Sequence, residues 1–222
     1  MKQFNYKTNT FDDLIADETG NLQTHGKDWV RLTSQDDINA VSQAITTGGE
    51  VWLDATGKLK TSPPRPSLAH KWDSQSKTWL LDTAAAAELK TQQQDEMWER
   101  IKQKRYDSLR RGVYAESVGK WFQTDDATRL QYLALALESV TGGFKNPINW
   151  KTMDNSFLQL TPELLREIMQ AMRDNEQANF VNAEKHKEAM LQAEHPLEYD
   201  YSGGWTANFD EQPAAELEEA DK

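Results

Sequence analysis

Apolar positions recur along the chain in two rhythms. From residue 1 to about 82 they come in short bursts between turns. Asp17-Glu18-Thr19-Gly20-Asn21 reads as a turn. Gly48-Gly49 precedes Glu50-Val51-Trp52-Leu53-Asp54, a short strand, and Ala55-Thr56-Gly57-Lys58 turns the chain into Leu59. Lys71-Trp72-Asp73 and Lys77-Thr78-Trp79-Leu80-Leu81 flank Ser74-Gln75-Ser76, which predicts a hairpin with paired aromatics. Pro63-Pro64-Arg65-Pro66 is extended and excluded from a central strand. Only Ile38, Val41 and Ile45 follow helical spacing here, with Ser34 or Asp36 as cap.

The rhythm changes at residue 84. Ala84 to Ala87, Leu89 and Gln92 to Gln94 are helix formers, and Trp98, Ile101, Arg105 and Leu109 share one helical face before Gly112. So thin a stripe suits a connector or half of an interface, such as pairing with a second copy. Val113-Tyr114-Ala115-Glu116 and Lys120-Trp121-Phe122-Gln123-Thr124 then read as two strands. Thr124 or Asp125 caps a helix whose apolar stripe is Leu130, Leu133, Ala134, Leu137 and Val140, ended by Gly142-Gly143. A second hairpin turns at Asp154-Asn155-Ser156, between Ile148 to Met153 and Phe157 to Leu160. Thr161-Pro162-Glu163 opens a helix. Leu165, Ile168, Met169, Met172, Val181 and Met190 carry it to near Gln192, with a bend expected near Asn175. Beyond Pro196, Tyr199-Asp200-Tyr201-Ser202-Gly203-Gly204-Trp205 is an aromatic cluster on a flexible backbone.

The expected class is α+β. A β-rich module spans 1–82, a linker helix 83–111, and a domain of β-hairpins packed on two helices 112–206. Residues 207–222, with six acids against Lys222, read as a disordered acidic tail.

Composition narrows the function. The chain has 222 residues, enough for one or two domains, and a net charge of -11. That charge disfavours a nucleic-acid coat protein or a polybasic membrane binder. Without cysteine there are no disulfides, thiolate metal sites or cysteine nucleophiles. Met1 to Tyr6 carries no apolar signal run, and Leu130 to Leu137 is far short of the ~20 residues of a membrane span. A soluble protein made in a cytoplasm is expected.

Chemical motifs are sparse. His25, His70, His186 and His195 show no paired ligand spacing. Asp125 and Asp126 suit a metal or acid–base pair, but a helix start wants the same residues; Asp154 and Asn155 stand likewise in a turn. No nucleophile elbow or phosphate loop occurs, and no cofactor is expected. Arg100, Lys102, Lys104, Arg105, Arg110 and Arg111 form a local basic patch. It suits nucleic acid, the helix dipole, or an acidic partner such as the tail. Eight tryptophans are the richer clue. Trp72, Trp79, Trp121 with Phe122, Trp150 and Trp205 lie beside turns, where they fill small cores or anchor a protein or sugar.

Several segments resemble a known family. They are Ile101-Lys102-x-Lys104-Arg105, Lys120-Trp121-Phe122-Gln123-Thr124-Asp125, Ile148-Asn149-Trp150-Lys151-Thr152-Met153-Asp154, the Phe157 strand and the helix through His186. Together they resemble an uncharacterised domain of tailed-phage and prophage tail proteins (domain of unknown function 4376). Pro63-Pro64-Arg65-Pro66-Ser67 with Trp72 and Trp79 is similar to a leader that often precedes that domain, and to segments of phage tail-fibre assembly proteins. The resemblance implies a non-enzymatic tail accessory protein, acting by protein–protein binding as a tail or fibre component or an assembly chaperone. Phage tail or tail-fibre proteins would be its partners, with self-association through the 84–111 helix. It would reside in the host cytoplasm during assembly, or in the virion tail. Two alternatives stand beside it: a glycan-acting hydrolase using Asp125 and Asp154 with Trp121 and Trp150 stacking sugar, and a host-takeover regulator. Trp121, Phe122, Trp150, Trp205, Trp72 and Trp79 are the expected partner contacts.

Overall fold

A computed structural model of the chain describes residues 1–211. The fold is α+β, and its contacts separate it into two compact units, 1–91 and from Gln92 onward.

In the first unit β1 (Lys2–Asn5) lies between β2 (Thr10–Asp13) and β5 (Trp29–Leu32), antiparallel to both. Phe4 is fully buried with Leu32. Gln3 is buried too, and its amide is satisfied: Nε2 donates to the Asp13 carbonyl at 2.8 Å, and Oε1 accepts from the His25 N–H at 3.0 Å. Helix α1 (Gln35–Thr46) has Ser34 as cap, in a reciprocal box with Asp37, and buries Val41 and Ala44. The remaining strands form hairpins: β3 (Ile15–Ala16) with β4 (Leu22–Gln23), β6 (Val51–Leu53) with β7 (Leu59–Thr61), and β8 (His70–Asp73) with β9 (Thr78–Leu81).

Aspartate organises the turns. Asp17 and Asp54 head twin D-x-T-G turns, each taking the backbone N–H groups two and four residues on. Gly20 and Gly57 take positive φ in them, at 81° and 79°, which a side chain would strain. Asp73 does the same work in the β8–β9 turn. Hydrogen bonds from the adjacent hydroxyls hold these three carboxyls below their ordinary range.

Helix α2 (Thr83–Ser108) crosses the division between the units. Asp82 accepts the Ala85 N–H at 3.0 Å at its start. The helix expected as a linker over 83–111 is therefore present, but from Gln92 it belongs to the second unit. Its Met97 and Ile101 are buried with Ala183 and Met190 of helix α4 (Pro162–Gln192). Pairing through the 84–111 stripe meets a physical obstacle, because its best apolar side chains are already covered.

The second unit continues with the hairpin β10 (Val113–Ala115) and β11 (Lys120–Phe122), helix α3 (Asp126–Thr141), the hairpin β12 (Ile148–Lys151) and β13 (Phe157–Leu160), and α4. Val113, Ala115, Phe122, Tyr132, Phe144 and Leu160 form one core with Leu164, Leu165 and Ile168 of α4. Thr161 caps α4, Pro162 opens it, and the helix runs unbroken through Asn175.

A C-terminal strap then crosses α2 and α4. Asn179, Asn182 and His186 lie along one face of α4 and hold it. Asn179 exchanges hydrogen bonds with Thr206, while Asn182 and His186 both reach the Gly203 carbonyl. His186 Nδ1 meets the Tyr199 hydroxyl at 2.9 Å. Order continues past the expected start of the tail. Asn208 is buried, Phe209–Glu211 form a short 3-10 turn, and the Phe209 N–H donates to the Arg111 carbonyl. The physical reason is Phe209, whose ring packs on Trp121. The rest of the expected acidic tail, 212–222, lies outside the described residues.

Candidate interaction surface

Helix α3 is placed by its two ends and one side. Asp125 caps it: Oδ1 accepts the Thr128 N–H at 3.0 Å and Oδ2 the Thr128 hydroxyl at 2.6 Å. Those bonds hold the Asp125 carboxyl below its ordinary range. Arg129 ties the first turn to the Thr124 and Leu109 carbonyls. Gly142 ends the helix in the left-handed conformation. Tyr132 is driven into the core against Trp150, with ring centroids 5.1 Å apart, and Leu135 and Ala136 pack beside it. Burial pushes the Tyr132 phenol well above its ordinary pKa. Desolvation is the cause, and the buried hydroxyl has no hydrogen-bond partner among the described residues.

With Tyr132 inward, the stripe seen in the sequence faces outward. Leu130 is 67% exposed, Leu133 50%, Leu137 63% and Val140 87%. The expectation that α3 packs through this stripe is corrected by the structure. The helix is apolar on both sides, and the wide indole–phenol contact wins the core over the leucines. Ala134 lies among the leucines, also exposed. An uncharged stripe of this kind has a cost in water that contact with another apolar surface would remove.

The expected partner contacts sit elsewhere. Phe122 is 0% exposed and part of the core, so it has no surface to offer. The pleat turns Trp121 to the other face of the hairpin, where Tyr114 and Phe209 leave it only 8% exposed. Trp150 is half-buried against Tyr132. Trp205 stacks on His186 at 5.6 Å and donates to the Tyr201 carbonyl. In the first unit Trp72 lies between Trp52 and Trp79, at 6.0 and 5.3 Å, and donates to Glu50 at 2.8 Å. Trp79 donates to the Pro63 carbonyl, so the proline segment rests on this cluster. All six are engaged by the protein's own groups.

The other constellations are also occupied. Desolvation raises the Asp154 carboxyl, but Lys120 at 2.6 Å, Thr152 and Ser156 outweigh it and hold the group far below the carboxylate range. Asp125 and Asp154 are thus both kept ionised by turn and cap bonds. Their oxygens are spent on the Thr128 cap and on the Lys120, Thr152 and Ser156 contacts. In the basic patch Arg100 pairs with Glu96, Lys102 with Glu99, and Arg110 with Asp126, while Arg105 lies over Phe180. Four of the six cations of that patch thus already have a partner within the protein. Among the described residues no cluster of three metal-ligating side chains occurs, and no helix is long and apolar enough to cross a membrane.

Sequence reasoning found the α3 leucines and gave them the wrong side. The available signal was Tyr132, Leu135 and Ala136 on the opposite face, which made the helix apolar all round.

Comparison with known proteins adds one match. The model of a family described as a domain of unknown function (DUF4376) matches residues 92–203, starting where the second unit starts. No curated protein and no solved structure matches the chain.

Proposed function

The chain belongs to the DUF4376 family, and from that premise we propose that it is a protein-binding accessory of a bacteriophage tail or tail fibre whose contact surface is the outward face of α3. The observation that carries the binding role is the uncovered stripe of Leu130, Leu133, Leu137 and Val140. The phage setting is supported by the resemblance of residues 98–205 and of the leader 63–82 to tail-fibre-region proteins. The engaged state of Asp125, Asp154 and four of the six patch cations favours binding over hydrolysis or nucleic-acid regulation.

The test places a photo-crosslinking residue at Leu137 in a phage-producing host. A crosslink to a tail or fibre protein is expected. Mass spectrometry of purified particles then separates the two roles: a fixed ratio to tail proteins marks a virion component, and absence with fibre copurification marks an assembly factor. The reading is overturned if nothing crosslinks and the Leu133→Gln/Leu137→Gln chain supports full yields of infectious particles.

A further inference from the structure

Leu130, Leu133, Leu137 and Val140 are spaced three, four and three residues apart. That is the a/d pattern of a two-heptad seam. The same positions are symmetric about residue 135: 130 mirrors 140, and 133 mirrors 137. In an antiparallel pair with its twofold axis at the level of Leu135, Leu130 of one copy meets Val140 of the other and Leu133 meets Leu137. Every exposed apolar side chain then has an apolar partner, as an isologous interface requires. Of the flanking positions, Ala127, Ala134, Ala136 and Thr141 are small and uncharged, while Arg129 is tied to the Thr124 and Leu109 carbonyls and would meet Thr141 of the other copy, so no like charges face one another. The antiparallel arrangement also sets each helix N-terminus beside the other's C-terminus, opposing their dipoles.

We propose that α3 pairs with α3 of a second copy in this antiparallel seam. The inference rests on the reading of α3 as a contact surface and names what covers that surface when no tail partner is bound; a weak dimer gives the stripe up to such a partner. It also moves self-association away from α2, whose Met97 and Ile101 are 1% and 0% exposed.

The area sets the strength. The four residues expose on the order of 450 Å² per copy, comparable to the largest apolar patch of a typical monomer, which is often functional. Two such stripes with their rims bury roughly 1,000–1,200 Å², the lower end of specific interfaces. The dimer is therefore weak and reversible, with a dissociation constant on the order of 1–100 µM. Each copy carries a net charge of -11, so the copies repel one another. Salt screens that repulsion and strengthens the dimer, the reverse of its effect on a contact driven by opposite charges.

The test is sedimentation of the full chain across about 0.1–500 µM at low and high salt, a range that brackets the expected constant. The expected result is a monomer–dimer transition that shifts to lower concentration at high salt. Leu133→Gln/Leu137→Gln, with an unchanged circular dichroism spectrum and melting temperature, stays monomeric throughout. Orientation is read by disulfide trapping, since the chain has no cysteine of its own. An equimolar mixture of Leu130→Cys and Val140→Cys chains crosslinks, while Leu130→Cys alone does not, because its two thiols lie about 15 Å apart along the axis. A monomer at all concentrations, a dimer that survives the double substitution, or crosslinking of Leu130→Cys alone overturns the proposal. If the chain is monomeric but Leu137 still crosslinks to a tail protein, the pairing is wrong and the contact surface stands. If both fail, the contact surface is wrong as well.

Discussion

The orientation of α3 can be settled by two substitutions with opposite expectations. Leu137 is 63% exposed, so about a third of its side chain is removed from water. Full burial of a leucine stabilises by roughly 1.5–3 kcal/mol, so that third is worth about 0.5–1. Glutamine keeps the inner part of the stem and nearly the same helix propensity, which leaves an expected loss of no more than about 0.5 kcal/mol for Leu137→Gln. Tyr132 is 1% exposed and packs on Trp150, so Tyr132→Ala opens a cavity costing roughly 3–5 kcal/mol. With a urea slope of about 2 kcal/mol/M, the midpoints shift by up to ~0.25 M and by ~2 M respectively. Tryptophans occur in both units, so the readout should be hydrogen exchange of α4 peptides along the urea series, which follows the second unit alone. The experiment belongs at about 0.05 µM protein, well below the expected dissociation constants, where self-association adds little. A shift above about 1 M for Leu137→Gln, or below about 0.5 M for Tyr132→Ala, would mean that α3 packs through its leucines, and the surface argument would fall.

Three further outcomes are expected. Asp125→Ala removes the α3 cap and lowers the stability of the second unit by about 1 kcal/mol, seen as a reduced melting temperature while crosslinking from Leu137 persists. Asp17, Asp54, Asp73 and Asp154 all have folded pKa values below their unfolded ones. Their contribution is therefore present above about pH 4 and lost as pH falls further, and a melting series from pH 6 to about 2.5 shows an acid limb that Asp154→Asn makes shallower. Gly112→Ala forces a side chain into φ +93° with its Cβ 2.4 Å from Met153 Sδ and 3.2 Å from the Phe122 carbonyl oxygen. It costs at least about 1 kcal/mol, measured by urea unfolding.

The sequence carried the hairpins and caps well because local chemistry decides them. Thr161-Pro162-Glu163 opens α4, Ser34 caps α1, and Asp154-Asn155-Ser156 turns β12 into β13. What it did not carry depends on distant partners. The β2–β1–β5 sheet went unseen because β1 buries Gln3 beside Phe4, and a buried glutamine reads as surface until Asp13 and His25 are known to satisfy it. The side chosen by α3 depends on Trp150, in a hairpin that follows it in the chain. The tryptophans drew attention as contacts for the reason that makes them good core residues, their large apolar area. The leucines that remain exposed looked ordinary because helical spacing alone cannot say which of two apolar faces the core takes.

The strap held by Asn179, Asn182 and His186 has a consequence for synthesis. Met97 and Ile101 leave the ribosome about a hundred residues ahead of Tyr199, Tyr201 and Trp205, which are part of their cover. Until those aromatics emerge, the nascent chain carries an uncapped apolar groove along α2 and α4. The second unit thus closes only after Trp205 has been translated, and a message cut short before Tyr199 yields a chain that chaperones and proteases would treat as unfinished.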